Sequence, residues 1–349
     1  MNSLTSEYLN RLKFSYRQAS TLKKIGEYQG KQMLFARQTP EALESLKHIA
    51  IIESSESSNR LEGITAPHER VKKIVERKDQ PENRSEQEIA GYRDALSGIH
   101  ESAVYMSFTT DTILSLHKTM YQYMAEPGGI WKNADNEIIE LNPDGSFKRV
   151  RFETTPASET PEAMEQLVER YADAVNVHYI EPLVIIPLTV LDFLCIHPFR
   201  DGNGRVARLF TLMLLYHFDF QAGKYISLER IFEESKVSYY DSLEKSSKGW
   251  HEGRHDAFPW LEYFWGTLLK AYHELEDRVK DIRSGKGCKT DQVVAAVGKK
   301  LGPFAISDIE GDCPLVSRDM IRIVLRQLRD EGVIEVRGKG RGAKWIHKK

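Results

Sequence analysis

Cysteine is scarce in this chain. There are three in 349 residues, Cys195, Cys288 and Cys313. None is spaced as CxxC, and so odd and sparse a set argues against both a disulfide scaffold and a structural zinc site, so a reducing compartment is expected. Long apolar runs are also missing. The most apolar stretch, residues 183–196, is 14 residues long and contains Pro187, Thr189 and Asp192. A bilayer-spanning helix needs about 20 apolar residues, so no membrane span is expected. The opening residues, Met1-Asn2-Ser3-Leu4-Thr5-Ser6-Glu7, have no apolar core of the kind a secretory signal carries. The cytoplasm is therefore the expected location. Neither sign of charge dominates, with 49 Lys and Arg against 51 Asp and Glu, and the whole chain is not a polybasic nucleic-acid binder. There is no internal repeat and no low-complexity tract.

What is present is mainly helical periodicity. Residues 41–52 place Leu43, Leu46, Ile49 and Ala50 on one face. Ser85 with Glu88 three residues on predicts a capped helix start. Residues 111–124 predict a third helix that buries Ile113, Leu114, Leu116 and Met120. The pattern then changes: residues 137–141 and 147–152 read as strands around the turn Asn142-Pro143-Asp144-Gly145, so a β-hairpin is predicted. Helices are expected again over 162–177, 188–196, 205–218, 238–248 and 260–281. Ser284-Gly285-Lys286-Gly287 reads as a linker.

Beyond it the charge balance reverses. Residues 286–349 hold 14 Lys and Arg against 8 Asp and Glu, a surplus of six positive charges in a chain whose net charge is −2. Helices over 291–300, near 307–310 and over 317–331 precede strands 333–337 and 343–347. The two strands flank the glycine-rich Gly338-Lys339-Gly340-Arg341-Gly342. That order fits a winged helix. The expected class is therefore mainly α with a small β-hairpin, followed by an α+β tail, in three segments: 1–105, 106–283 and 284–349. The tail could bind DNA through Arg318, Arg322, Arg326, Lys339 and Arg341, or dock a protein, and the sequence favours neither.

The chemistry concentrates in His197-Pro198-Phe199-Arg200-Asp201-Gly202-Asn203-Gly204-Arg205-Val206-Ala207-Arg208. Apolar helices flank this polar loop on both sides. Gly202, Asn203 and Gly204 would present backbone N–H groups at a helix N-terminus, an anion nest suited to phosphate. Arg205 and Arg208 are three apart and share a helix face, so two guanidinium groups stand beside the nest. Asp201 is a hard oxygen ligand of the kind that holds phosphate-bound Mg²⁺. His197 titrates near neutrality and can accept a proton. A base, a metal ligand, an anion nest and two cations describe phosphoryl or nucleotidyl transfer.

The segment resembles the Fic family signature H-x-F-x-[D/E]-G-N-G-R-x-x-R at every fixed position. The resemblance implies a protein adenylyltransferase that moves AMP from ATP-Mg²⁺ to a hydroxyl of a target protein. By it His197 would deprotonate that hydroxyl, Asp201 would hold Mg²⁺, and Gly202, Asn203 and Gly204 would bind the α-phosphate. Arg205 would contact the phosphate chain, Arg208 the γ-phosphate, and Phe199 would anchor the loop. Gly128-Gly129-Ile130-Trp131 and the hairpin are similar to the family's flap, which docks a target segment by strand addition. Tyr239 and Tyr240, with Leu243, resemble the motif near its adenine pocket.

Ser58-Asn59-Arg60-Leu61-Glu62-Gly63 resembles the family's inhibitory motif [S/T]-x-x-x-E-[G/N]. Ser58 and Glu62 are one helical turn apart. The resemblance pairs Glu62 with Arg208 and also implies a homodimer. Two rival functions stay open: a DNA-binding regulator that senses nucleotide, and a site that removes AMP or transfers another nucleotide. His251-Glu252-Gly253-Arg254-His255 matches H-E-x-x-H, but the glycines around and within it predict an exposed turn rather than the helix a zinc protease needs. Cys195 is expected to be a buried hydrophobe.

Overall fold

The structure is a computed structural model that describes residues 3–38, 40–142, 144–176, 180–283, 289–300, 302–313, 316–338 and 343–348. Its helices are α1 (Ser6–Arg11), α2 (Tyr16–Gln38), α3 (Pro40–Leu61), α4 (His68–Val75), α5 (Arg84–Ser102) and α6 (Thr110–Met120). A hairpin of β1 (Glu137–Leu141) and β2 (Phe147–Glu153) follows. Then come α7 (Thr160–Asn176), α8 (Pro182–Ile196), α9 (Asn203–His217), α10 (Leu228–Glu234), α11 (Lys236–Ser247) and α12 (Phe258–Arg283). The last elements are α13 (Lys289–Gly298), α14 (Ile306–Asp312), α15 (Arg318–Asp330), β3 (Ile334–Arg337) and β4 (Lys344–His347). The chain divides into two compact units, one of residues 1–37 with 46–273 and one of 38–45 with 274–349.

Helices α8 and α9 form the centre of the first unit, and nearly every side chain on both is buried. A helix apolar all round has no solvent face to satisfy, so it is stable only when others wrap it. Pro187 sits inside α8 and has no N–H, which leaves the carbonyl four residues earlier without its helical donor. That carbonyl belongs to Leu183, and the buried indole of Trp265 donates to it at 2.7 Å. One turn on, Asp192 is fully buried, accepting from the Ser3 amide at 2.8 Å and the Trp250 indole at 2.7 Å. Burial pushes its carboxyl up to about 6 despite those bonds.

The predicted hairpin is present. Its strands pair antiparallel, Glu137 opposite Glu153 and Leu141 opposite Phe147, with register shifts at 138/139 and 140/141. At the turn the Asn142 amide donates to the Ser146 carbonyl at 2.8 Å, and Gly145 takes a φ of 84°. Pro143 lies outside the described residues. Two boundaries differ from expectation. Helix α5 is capped by Asn83, whose side chain accepts from the Glu86 amide at 3.0 Å, not by Ser85, which lies inside it. Helix α6 stops at Met120 rather than running to 124, ahead of the Glu126-Pro127 step that disfavours helix.

The second unit has its own core, with Val293, Val297, Ile321, Val324 and Leu325 at its centre. Strands β3 and β4 pair antiparallel, and Phe304 bridges to Trp345 through reciprocal backbone bonds of 2.9 and 2.7 Å. The expected linker 284–287, Cys288, and Lys339 to Gly342 of the glycine-rich loop, including Arg341, lie outside the described residues.

Candidate active site

The site begins where α8 ends. His197 caps that helix in the left-handed region, with φ 53° and ψ 59°, and its amide closes onto the Phe193 carbonyl at 2.8 Å. Glycine usually takes this position, so a histidine there carries backbone strain of about 1 kcal/mol or more. Its Nδ1 lies 3.2 Å from the Leu194 carbonyl. A carbonyl only accepts, so Nδ1 carries the hydrogen and Nε2 keeps its lone pair. Burial pushes the imidazole down to about 4 although the Leu194 bond opposes this. At neutral pH His197 is an uncharged proton acceptor.

The loop that follows is braced from several sides. Phe199 is fully buried and lies face to face on His117, ring centroids 3.8 Å apart. The Asn203 side chain turns inward, accepting from the Phe199 amide at 2.9 Å and donating to its carbonyl at 2.8 Å. Oδ1 and one Nδ2 hydrogen are thereby spent on bracing the loop. His117 accepts from the Gly129 amide through Nδ1 at 2.8 Å and donates from Nε2 to the Asp201 carbonyl at 3.1 Å. It thereby joins the hairpin's glycine entry to the loop.

Gly202 has a φ of 83° and opens α9. A side chain there would meet Met120, Tyr121 and His117 as well as the disfavoured dihedral. By helix geometry the amides of Asn203, Gly204 and Arg205 have no acceptor within α9. Beside them, Asp201 is largely exposed, with its Oδ1 on the Gly202 amide at 2.7 Å and its Oδ2 on the Tyr121 hydroxyl at 3.0 Å. Partial enclosure works to raise its carboxyl. The Arg205 guanidinium and these bonds outweigh that and hold it below the usual range, so Asp201 is ionised.

The two arginines differ. Arg205 is 2% exposed; its guanidinium pairs with Glu88 on α5 at 2.5 Å and reaches Asn59 at 3.3 Å. It acts as a brace between helices. Arg208 is equally buried. It donates from Nε to the Ser58 hydroxyl at 2.8 Å and from one terminal nitrogen to the Ser58 carbonyl at 2.9 Å and to Glu62 at 2.7 Å. A Cβ on Gly204 would run into that Glu62 carboxylate. Gly63 follows with a φ of 81° as α3 ends.

His197, Gly204, Arg208, Glu62, Gly63, Tyr239 and Tyr240 line one cavity of about 700 Å³, within the range of small-ligand sites. Its far walls are Leu243 on α11 and Ile138, Arg151 and Phe152 on the hairpin. Tyr239 and Tyr240 meet edge to face at 5.0 Å, and the Tyr240 hydroxyl donates to the Leu61 carbonyl at 3.2 Å. Asp201, Gly202, Asn203 and Arg205 do not line the cavity.

Sequence reading missed Glu88, Asn59, His117 and Tyr121. Only the i,i+4 pair His117 and Tyr121 carried a local hint. The H-E-x-x-H histidines have separate partners: His251 faces the Glu153 carbonyl at 2.8 Å, and His255 stacks on Tyr8 at 4.2 Å. Cys195 is buried, and burial raises its thiol.

A helical core, a hairpin at its side and a helix N-terminus opening beside a cavity of about 700 Å³ define the architecture. Residues 107–215 match the family model described as Fic/DOC family, a family known for transferring nucleotide monophosphates to proteins. A Fic family protein from Desulfovibrio desulfuricans G20 is 21% identical, with 97% of each chain covered and a TM-score of 0.62. A Fic domain containing signaling protein from Bacteroides thetaiotaomicron VPI-5482 is 22% identical over 74% of this chain and 98% of its own, also at 0.62. Fic-1 from C. elegans is 18% identical over 76% and 73%, at 0.57. At these identities the likeness establishes the fold. Among the described residues, no helix is long and apolar enough to cross a membrane.

Proposed function

We propose that the chain is a protein adenylyltransferase held in check by its own α3. The observation that supports this most directly is the Glu62 carboxylate, which occupies Arg208 and the space above Gly204 in the cavity that also holds His197. Nε2 of His197 takes the proton of a target Ser, Thr or Tyr hydroxyl. The freed oxygen attacks the α-phosphorus of ATP, and pyrophosphate leaves. The open amides of α9 hold the α-phosphate, while Arg208 pairs with the γ-phosphate once Glu62 has left. Tyr239, Tyr240 and Leu243 form the wall against which a base stacks.

Asp201, ionised and largely exposed, is chemically suited to hold Mg²⁺, which would neutralise phosphate charge. We read Arg205 as the brace of this loop, since Glu88 and Asn59 already hold it. The second unit has the element order of a winged helix. Of its helix arginines, Arg318 pairs with Glu310 and Arg322 with Asp319, at 3.1 and 2.9 Å. Gel-shift of the full chain over a salt series separates DNA from protein as its partner.

The test is self-labelling with ATP labelled at the α-phosphate, with cell lysate as added target. Glu62→Gly should incorporate at least tenfold more label than wild type, and adding His197→Ala should remove it. If Glu62→Gly binds ATP but labels nothing, adenylyl transfer is refuted, and AMP removal, another nucleotide or nucleotide sensing takes its place.

A further inference from the structure

Lys132 is 5% exposed, an unusual place for an ammonium group. Each of its three protons has an acceptor: Asn136 Oδ1 at 2.8 Å, Thr154 Oγ1 at 2.9 Å and the Ile196 carbonyl at 3.1 Å. Asn136 lies just before β1 and Thr154 just after β2, so two of these bonds clamp the base of the hairpin. The third reaches the last peptide of α8, immediately before His197. Neighbouring bonds reinforce the junction. The Lys132 amide donates to the Pro198 carbonyl at 2.8 Å, and Asn136 donates to the Phe199 carbonyl at 3.1 Å.

The charge matters as well as the bonds. His197 sits at the C-terminal end of α8, where the helix dipole is negative and favours a protonated imidazole. A cation fixed on the Ile196 carbonyl opposes that tendency. The other charged groups that bear on His197 are Glu62, just past the end of α3, and Asp201 from the loop, both of which favour its protonation. Arg208 from α9, Arg151 and Glu140 from the hairpin, and Lys236 and Glu244 from α11 line the same cavity. Arg208 is already paired with Glu62, and Arg151 with Glu140 and Glu244. Among the described residues Lys132 carries no ion pair of that kind, and the acidic group that bears on it is Asp135.

We propose that Lys132 is a positioning residue for His197: its buried ammonium locks the hairpin base to the end of α8 and, as a fixed cation there, adds to burial in disfavouring the protonated form of His197. The role in transfer rests on the reading given above, whereas the effect on the imidazole does not. Burial pulls the Lys132 ammonium itself down to about 8, with Asp135 opposing, so Lys132 stays charged across the acidic range in which His197 titrates.

The experiment titrates the histidines of the full chain by NMR after selective ¹³C labelling, with His197 assigned by its loss in His197→Ala. Lys132→Gln keeps an N–H donor in place but removes the charge, and Lys132→Arg keeps the charge. Lys132→Gln should move the His197 midpoint up by about 0.5–1 pH unit, and Lys132→Arg should leave it near wild type. Should Lys132→Gln fail to fold, Asn136→Asp sets a carboxylate against the same ammonium and must shift the midpoint the same way. An unchanged His197 midpoint in a folded, uncharged variant overturns the proposal. In the Glu62→Gly background the acidic limb of kcat should follow the NMR midpoint, with KM for ATP unchanged. A midpoint shift without any labelling would leave Lys132's role intact and discard the transferase reading instead.

Discussion

Replacing Glu88 by alanine removes the one carboxylate bonded at short range to a guanidinium that cannot lose its proton. Arg205 is 2% exposed and Glu88 7%, and their 2.5 Å contact is shielded from water. Without Glu88, Arg205 keeps only Asn59 at 3.3 Å and Asp201 at 3.5 Å, and its Nε already finds no acceptor among the described residues. Breaking a buried pair by removing one partner costs about 3–5 kcal/mol, because the remaining charge stays desolvated. Glu88→Ala is expected near the lower end, since Asp201 lies close. The double change Glu88→Leu with Arg205→Met removes both charges at similar volume and should return to within about 1 kcal/mol of wild type. Urea unfolding followed by circular dichroism compares wild type, the single variant and the double variant. Glu62→Gly is the internal contrast, because Arg208 retains both Ser58 acceptors and the Glu62 side chain is 31% exposed. It should cost well under half as much. A Glu88→Ala protein within about 0.5 kcal/mol of wild type, or a double variant as unstable as the single one, would refute the assignment of Arg205 as a brace.

Two other outcomes follow from packing and burial. Burial is the largest cause that lowers His117, His197 and His255 to about 4 and His100 to about 3. The unfolded chain takes up these protons near pH 6.5 and the folded chain does not, so stability is complete above about 6.5 and falls as pH drops toward 4. Asp192, raised to about 6, works the other way but is one group against four. Stability should therefore fall by several kcal/mol in all from pH 7 to pH 5, seen as a steady drop in the thermal midpoint; a flat or rising series would contradict the buried neutral state of these rings. Gly91→Ala drives a methyl group into the Met120 backbone carbonyl where α5 crosses α6, whereas Gly98 on the same helix faces open space. The first change should cost about 2–3 kcal/mol and the second gain up to about 1 kcal/mol. Equal melting temperatures for the two variants would show that the crossing yields more easily than its geometry implies.

The site's parts were unequally legible in the sequence. The loop from His197 to Arg208 stood out because polar residues interrupt two apolar helices, and the hairpin because Asn142 to Gly145 is turn chemistry. The Glu62–Arg208 contact was reached from the one-turn spacing of Ser58 and Glu62 together with a resemblance. Glu88 and Lys132 gave no such signal. A charged residue on an amphipathic helix or in a loop reads as solvated, and nothing local announces a partner at Arg205 or Ile196. The inward turn of Asn203 was equally hidden, since an amide at a helix start fits a ligand contact and a loop brace alike. Ser85 failed as a cap because Asn83, two residues earlier, is an equally good acceptor and reaches the Glu86 amide first.

The chain's five tryptophans are not alike. Trp250, Trp260, Trp265 and Trp345 are 8% exposed or less, whereas Trp131 is only half-buried and leans on Phe199 with ring centroids 5.1 Å apart. An aqueous quencher such as iodide therefore meets Trp131 first, and the longer-wavelength share of the emission comes from the residue next to Lys132. The hairpin base thus carries its own optical reporter, readable without a label and without a substrate.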